Sequence, residues 1–392
     1  MDLTYTATEQ QFRAEVRGWL AANAPTEALP PIYTEEGVAE HRRWERTMFD
    51  AGYSALHWPR EHGGGGAGLI EQAIFGEEYL RVGAPTRLNR MALGLAGPTV
   101  IQFGTDEQRR QWLPGMLSCD DLWCQGFSEP EAGSDLAGLR ARGERDGDDF
   151  VINGQKIWTS MSAFANWMFA MIRTDPDSTR HRGITFIMVP MGTPGIELRP
   201  IRQLHGEPGF AEVFLTDVRV SAANVIGKVG EGWSVAMATL GFERGTGLGD
   251  HVRFARDVAD LVELARRAGV ADDPVVRDEI AARWVEVQQF RRHMQRTATR
   301  LAASGTIGPE ASMTKLFWSE MEARIFETAL KILGPLAELA DDAPGSLPDR
   351  GFHRRYWHSR ASRIFAGTSE VQRNIISERV LGLPREPRWT SN

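Results

Sequence analysis

Residues 364–373 read Ile364-Phe-Ala-Gly-Thr-Ser-Glu-Val-Gln-Arg373: an apolar start, a small-residue break at Ala366-Gly367, then a polar run. The chain leading up to this stretch reads as helix. Leu316, Phe317, Met321, Ile325, Ala329, Leu330 and Leu333 recur at about 3.6-residue spacing, on a helix expected to end at Gly334-Pro335. An earlier helix, over roughly 273–303, opens at Asp272/Asp273 as N-cap with Pro274 at the first helical position. From Gly232 onward the whole pattern is helical.

Further upstream the texture changes. Phe150-Val-Ile, Trp167–Ile172, Ile184–Val189 and Glu212–Val220 are short β-rich runs separated by Gly, Pro and Asp. Before about residue 121 the chain is helical again. Thr6-Ala-Thr-Glu9 fits a capping box ahead of Phe12, Val16, Trp19 and Leu20 at helical spacing, ended by Ala24-Pro25. Trp44, Met48, Ile74, Phe75 and Leu80 are the expected core positions of the helical pieces that follow. The fold class is therefore α+β, mostly α. Its expected domains are helical at 1–120, β at 121–225 and a helical bundle at 226–392.

Bulk numbers exclude more than they assign. A chain of 392 residues, 42% hydrophobic and 25% charged, is an ordinary globular composition with room for two or three domains. A net charge of −7 gives no reason to expect nucleic-acid binding, and a polyanionic ligand would need locally placed arginines. Cys119 and Cys124 form no C-x-x-C pair and read as reduced thiols of a cytoplasmic protein. No secretory signal and no membrane span is expected, because no run approaches the roughly 18 apolar residues a span needs. The nine histidines show no ligand spacing, so no metal is expected. His353 and His358 flank Arg354-Arg355-Tyr356-Trp357, read as a solvated basic turn.

Two glycine-rich segments invite a phosphate-loop reading. His62-Gly-Gly-Gly-Gly-Ala-Gly68 follows no strand and lacks the Lys-Ser/Thr ending, so it reads as a structural turn. Gly245-Thr-Gly-Leu-Gly249 sits in a helical run without the strand-turn-helix setting of a dinucleotide fingerprint. Cys124-Gln-Gly-Phe-Ser-Glu-Pro-Glu-Ala-Gly-Ser-Asp135 differs, because small residues and hydroxyls beside Gly133 permit close approach of a polar planar ligand. Asn153-Gly-Gln-Lys-Ile-Trp-Thr-Ser160 follows a strand, with an expected hairpin turn at Asn153-Gly154.

Taken together, Gln125–Gly138, Lys156–Ser160, Glu231-Gly-Trp233, Phe242-Glu-Arg244 and Arg363–Arg373 resemble the acyl-CoA dehydrogenase family, and the resemblance runs from Phe12 to Pro387. It implies a helical N-terminal domain, a middle β-domain and a C-terminal four-helix bundle. It also implies FAD as cofactor, with Trp158 flanking the isoalloxazine and Thr159 and Ser160 bonded to its N5 edge. Phe127 and Ser128 would touch the ring, Ser134 the phosphate or pantetheine of a ligand, and Thr368 and Glu370 the flavin from the final motif. Lys331-Ile-Leu-Gly334-Pro335 departs from the family's Gln-x-x-Gly-Gly, which reaches a neighbouring subunit's FAD; Lys331 could still pair with pyrophosphate. Ser221, in place of a common proline, is expected to be neutral.

The family reaction removes an α-proton from an acyl thioester and delivers a β-hydride to flavin. The base is a desolvated carboxylate, and the thioester oxygen is held by a flavin hydroxyl and a backbone N–H. Many members carry the base as a glutamate just before Gly367-Thr368, where this chain has Ala366. Alanine keeps the N–H and supplies no base. Isovaleryl-CoA-type members instead place the glutamate before an arginine on a bundle helix, as Glu243-Arg244 stands here. Glu243 is then the expected base, with Arg244 and Gly367 on the substrate. The resemblance further implies an acyl-CoA substrate, an electron-transfer flavoprotein as acceptor, and a homotetramer or homodimer, with a heterotetramer as the alternative. A flavin monooxygenase on the same fold and a non-catalytic partner subunit are the competing readings.

Overall fold

The computed structural model describes residues 5–242, 249–304, 308–340, 343–347 and 351–385. They form two compact units, one built from residues 10–72 and 82–246, the other from 1–9, 73–81 and 247–392. The architecture is helical, then a β-sheet, then helical, as the sequence implies.

Helices α1 (Ala7–Asn23), α2 (Glu35–Asp50) and α3 (Leu69–Val82) open the chain. The Thr6/Glu9 capping box forms, with Glu9 reaching the Thr6 N–H at 2.7 Å and Thr6 Oγ1 accepting from Glu9 at 3.3 Å. Trp44, Met48 and Ile74 are buried, whereas Phe75 and Leu80 are half-buried. Residues 62–68 are the expected structural turn. Amides of Gly64, Gly65 and Gly66 bond to backbone carbonyls of Pro59, Ala55 and Trp58, so they are not offered to a phosphate.

Helices α4 (Gly97–Phe103) and α5 (Asp106–Ser118) follow, α5 capped by a reciprocal Thr105/Gln108 box. Gln108 also donates to the carbonyls of Ala223 and Val225 at 2.7 and 2.8 Å, tying α5 to the end of the sheet.

The sheet contains β1 (Trp123–Gly126), β2 (Arg142–Asp146), β3 (Asp149–Ser160), β4 (Trp167–Arg173), β5 (Ile184–Pro190), β6 (Ile196–Ile201), β7 (Phe210–Ser221) and β8 (Val225–Ile226). Its order is β6-β7-β3-β2-β4-β5-β8, with β1 parallel to β4. β4 and β5 are continuous apolar runs because both their faces are covered. One face shares a core with Trp58, Ala96, Trp112 and Val235; the other packs on Ile152, Val213 and Val218.

The hairpin turn expected at Asn153-Gly154 does not form: β3 runs unbroken through it. The irregularity lies on β7, where an extra residue bulges and Asp217 takes φ +51°. Asn153 holds that bulge with both amide atoms, accepting from the Asp217 N–H at 2.9 Å and donating to its carboxylate at 3.0 Å. The Ser221 hydroxyl caps the turn that follows by accepting from the Ala223 N–H.

Helix α6 (Gly232–Phe242) closes the first unit, joined to α4 by a buried 2.8 Å contact between the Thr99 and Thr239 hydroxyls. In the other unit α7 (His251–Arg267), α8 (Pro274–Ser304), α9 (Ala311–Leu333) and α10 (Phe352–Ser362) pack together, and α11 (Ser369–Ile375) lies on α9. Asp273 caps α8 through the Val275 N–H at 2.8 Å, and Gly334, at φ +55°, ends α9. The segment from His353 to His358 is helix α10, not a solvated turn. Arg355 pairs there with buried Asp257 between the rings of Phe326 and Phe352. Burial pushes the Asp257 carboxyl up, and Arg355 and Arg253 oppose the shift.

Among the described residues no helix is long and apolar enough to cross a membrane. Cys119 and Cys124 are buried and free; burial raises both thiols, Cys119 to about 12. Ellman's reagent at pH 8 is therefore expected to label neither in the native protein and both after unfolding, as read by absorbance with and without denaturant. Gly97→Ala tests the packing of the first unit. A Cβ at Gly97 would overlap the fully buried Trp58 indole, so the variant should lose on the order of 1–3 kcal/mol by denaturant titration.

Candidate functional site

The motif residues of the first unit converge on the end of β3. Between Lys156 and Thr159 the strand carries one more residue than β7 opposite, and this second bulge places Trp158 at φ +61°. A bulky residue in the left-handed region is strained by roughly 1–2 kcal/mol, so the surroundings must impose it. The result is an indole 55% exposed, held edge-on by the Phe210 ring at 6.0 Å.

Two residues that sequence reasoning gave no role hold this arrangement. Lys156 has no exposed surface; its ammonium donates to Glu129 at 2.7 Å, to the Met171 carbonyl at 2.7 Å and to the Phe127 carbonyl at 3.4 Å. Glu129 also accepts from the Arg140 and Ala141 N–H groups at 2.6 and 2.9 Å. Burial pushes the Lys156 ammonium's pKa down, and the Glu129 carboxylate opposes it. Beside the pair the Ile157 N–H donates to the Ser128 carbonyl at 2.9 Å, so the loop bearing Phe127 and Ser128 is laced to the strand bearing Trp158. Both charged residues lie inside quoted motifs. The available signal was a lone lysine in an alternating strand, at a position that should face the interior.

Phe127 is buried among Phe169 and Phe186, and Ser128 is half-buried. Ser134 is exposed, next to Asp135, which pairs with Arg180 at 3.4 Å. Ser160 is half-buried. Thr159 is fully buried and its hydroxyl finds no hydrogen-bond partner among the described residues. An orphan hydroxyl beside an exposed, strained indole is the donor and flat face that a flavin edge would take up. These residues fit FAD.

The rest of the expected site belongs to the other unit. Ala366 takes φ +53° and Gly367 φ +86°, a corner between α10 and α11. Gln372 pins it, donating to the Ala366 carbonyl at 2.9 Å and the Gly367 carbonyl at 3.4 Å. The Ala366 N–H has no acceptor among the described residues. Thr368 is the N-cap of α11, accepting from the Val371 N–H at 3.2 Å, and Glu370 sits in its first turn. Hydrogen bonds from its own N–H and from Thr368 hold the Glu370 carboxyl below its usual range.

Lys331 is not brought to this corner. Arg373 of α11 pairs with Glu320, and Lys331 and Gly334 lie at the far end of α9, roughly 16 Å further along by helical rise. There Lys331 bonds Glu279 at 2.7 Å. Glu243 and Arg244 lie outside the described residues. Phe242, immediately before them, lines a cavity of about 310 Å³ between the 57–59 segment, α3 and the 94–102 helical run. Nothing in the sequence flagged that cavity, because its wall comes from four separate segments.

The chain matches three family models, described as the acyl-CoA dehydrogenase N-terminal domain over residues 6–120, the middle domain over 124–218 and the C-terminal domain over 230–381. It is 43% identical to "Acyl-CoA dehydrogenase IpdE1" of Mycobacterium tuberculosis, covering 97% of this chain and 99% of that one. A second "Acyl-CoA dehydrogenase IpdE1", of Mycolicibacterium smegmatis, is 42% identical over 96% and 98%. Two solved structures are similar throughout. "Tcur3481-Tcur3483 steroid ACAD" has a TM-score of 0.86 at 29% identity over 98% of this chain and 100% of that one. The ChsE4-ChsE5 complex of Mycobacterium tuberculosis has a TM-score of 0.81 at 31% identity over 98% and 100%.

Lys156→Met should be costly, because it leaves the Glu129 carboxylate buried without its charge partner. About 3–5 kcal/mol of stability is expected to go, with FAD retention falling alongside. The double variant Lys156→Met/Glu129→Leu should recover most of the stability, as calorimetry would show. A double variant destabilised by the sum of the two single variants would mean that the pair is not coupled.

Proposed function

The chain belongs to the acyl-CoA dehydrogenase family of FAD-dependent oxidoreductases, and from that premise we propose that it desaturates a ring-bearing, steroid-derived acyl-CoA with Glu243 as base. The corner at Ala366 carries the reading. Its side chain has no carboxylate, yet its N–H is fixed in the left-handed conformation with no acceptor among the described residues. That is a backbone donor kept for the thioester oxygen at a position that has given up the base.

In this reading the Ala366 N–H stabilises the negative charge that develops on the thioester oxygen, worth several kcal/mol when water is excluded. Glu243 removes the α-proton. Its neighbour Phe242 stands in a cavity wall with Trp58, Leu69, Pro98 and Ile101, and the reaction calls for a desolvated carboxylate as base. Arg244 binds the CoA moiety, and Ser134 and Gly367 line its path. Trp158, Thr159, Ser160, Phe127 and Ser128 hold FAD from the β-domain, and Thr368 and Glu370 are flavin contacts in the same reading. FAD, when bound, accepts the β-hydride, and an electron-transfer flavoprotein is the proposed acceptor.

The steroid class is supported by the similarity to the Tcur3481-Tcur3483 steroid ACAD. That protein and the ChsE4-ChsE5 complex each pair two proteins by name, which favours a heteromer over the homotetramer expected from the resemblance. Lys331, far along α9 from the α11 corner, suits a role toward a neighbouring subunit's cofactor in either assembly.

Glu243→Gln is expected to keep its FAD while slowing anaerobic flavin bleaching by ring-bearing acyl-CoAs on the order of a hundredfold or more, read by stopped-flow absorbance. Bleaching at the wild-type rate would move the base elsewhere.

A further inference from the structure

Helix α10 ends where the corner at Ala366 begins, and its last carbonyls decide what becomes of the corner's N–H groups. The Ala361 carbonyl accepts from the Ile364 N–H at 2.8 Å and the Phe365 N–H at 3.0 Å, so helical bonding persists as far as Phe365. One residue on, the same pattern would hand the Ala366 N–H to the Ser362 carbonyl and the Gly367 N–H to the Arg363 carbonyl. Neither bond forms. The Arg363 carbonyl accepts from the Ser369 N–H at 3.0 Å, and the Ser362 carbonyl accepts from the Lys315 ammonium at 2.9 Å. The Ala366 and Gly367 N–H groups have no acceptor among the described residues.

Lys315 comes from α9 and is 9% exposed, and Ser362 is fully buried. Burying a lysine costs free energy unless its ammonium is bonded. The end of a helix, with its unpaired carbonyls and negative dipole end, stabilises a cation placed there. Two turns along the same face of α9, Glu322 accepts from the Ser362 hydroxyl at 2.5 Å and from Arg253 of α7 at 2.7 Å. Ser362 is thus gripped by its carbonyl and its hydroxyl at once. Beyond it, the ring of Phe365 lies against Trp318 of α9 at 6.2 Å and His358 at 6.1 Å. The chain therefore enters the corner from a fixed point on α9.

We infer that Lys315 is a positioning residue for the thioester donor: by occupying the Ser362 carbonyl it stops helical bonding at Phe365 and keeps the Ala366 N–H free. The inference rests on the reading of that N–H as the donor to the thioester oxygen. Lys315 acts through the backbone and needs no contact with substrate or flavin. Without its ammonium the Ser362 carbonyl becomes a buried acceptor short of a partner, which is costly, and the Ala366 N–H is the donor that helical geometry would bring to it.

The test uses the FAD-loaded enzyme and Lys315→Met, which keeps most of the apolar stem and removes the donor. Backbone deuterium exchange, resolved to single residues by electron-transfer fragmentation, should slow about threefold or more at Ala366, because its N–H gains a helical acceptor. A lysine that is only an anchor gives the opposite sign, since its loss loosens the end of α10 and speeds exchange at Ile364, Phe365 and Ala366 together. Anaerobic flavin bleaching by a ring-bearing acyl-CoA should slow about tenfold or more, with the Kd for the acyl-CoA little changed. Unchanged or faster exchange at Ala366, or bleaching at the wild-type rate, overturns the inference. Should Lys315→Met fail to fold, the wild-type protein decides. Corrected for intrinsic rates, its Ala366 amide should exchange about threefold or more faster than the bonded Phe365 amide, and equal protection overturns the inference. If no acyl-CoA bleaches the wild-type flavin, the thioester reading itself falls, and this inference with it, whatever the exchange shows.

Discussion

Lys156 and Glu129 face each other at 2.7 Å with their side chains 0% and 7% exposed, and the strand end that bears Trp158 is built around that contact. Taking two charges out of water costs several kcal/mol for each ion, and their attraction offsets this only when every remaining donor and acceptor is used. Here the ammonium reaches Glu129 and the carbonyls of Met171 and Phe127, while the carboxylate takes the ammonium and two backbone N–H groups. The pair thus joins the loop after β1, the start of β2, the end of β3 and β4. An apolar pair would pack as well but would fix no such set of distances. Trp158, two residues beyond Lys156 and strained at φ +61°, keeps its outward indole because the strand on its inner side cannot slip.

A second constraint comes from a missing atom. Pro98 offers no N–H, the π turn before it redirects the Gly97 amide, and the Leu93 carbonyl is left to side chains. Trp58 takes one lone pair and thereby stands fully buried under Gly97, where no side chain could be accommodated. One backbone irregularity so fixes the core indole of Trp58 and leaves the same carbonyl 3.0 Å from His57 Nε2. π turns interrupt helices at some cost in regular bonding, and they recur where side-chain placement matters more than helix stability.

Much of the fold was legible in the sequence. The capping box at Thr6/Glu9, the Asp273-Pro274 start of α8, the Gly334 stop of α9 and the four β-rich runs all appear as the pattern implies, since each is decided by neighbours in sequence. The two misreadings share a cause. Asn153-Gly154 has turn chemistry, but strand pairing with β7 used the asparagine to brace a bulge on the partner. His353–His358 looks solvated, but Arg355 found Asp257 across the bundle. In both cases a long-range partner overrode a local preference. Lys156 escaped notice for the same reason, since its motif does not show what it will touch. The candidate site residues themselves came from resemblance, because spacing alone does not distinguish a flavin-binding hydroxyl from a turn serine.

In the proposed reading, the corner at Ala366 lets the base leave this position without dismantling the site. An N–H donor depends on backbone conformation, and the conformation is held by Gln372 on both carbonyls and by the Thr368 cap, not by the side chain at 366. Holding a non-glycine residue at φ +53° costs about 1–2 kcal/mol. Glycine would relieve that strain and add conformational freedom to the unfolded chain and to the corner itself. Alanine is the smallest side chain that still restricts the backbone. A carboxylate, by contrast, needs only reach and desolvation, and several backbone positions around one cavity can supply both. On that reading the oxyanion donor is bound to its place in the chain while the base is free to move. In the proposed reading Glu243 is where it went.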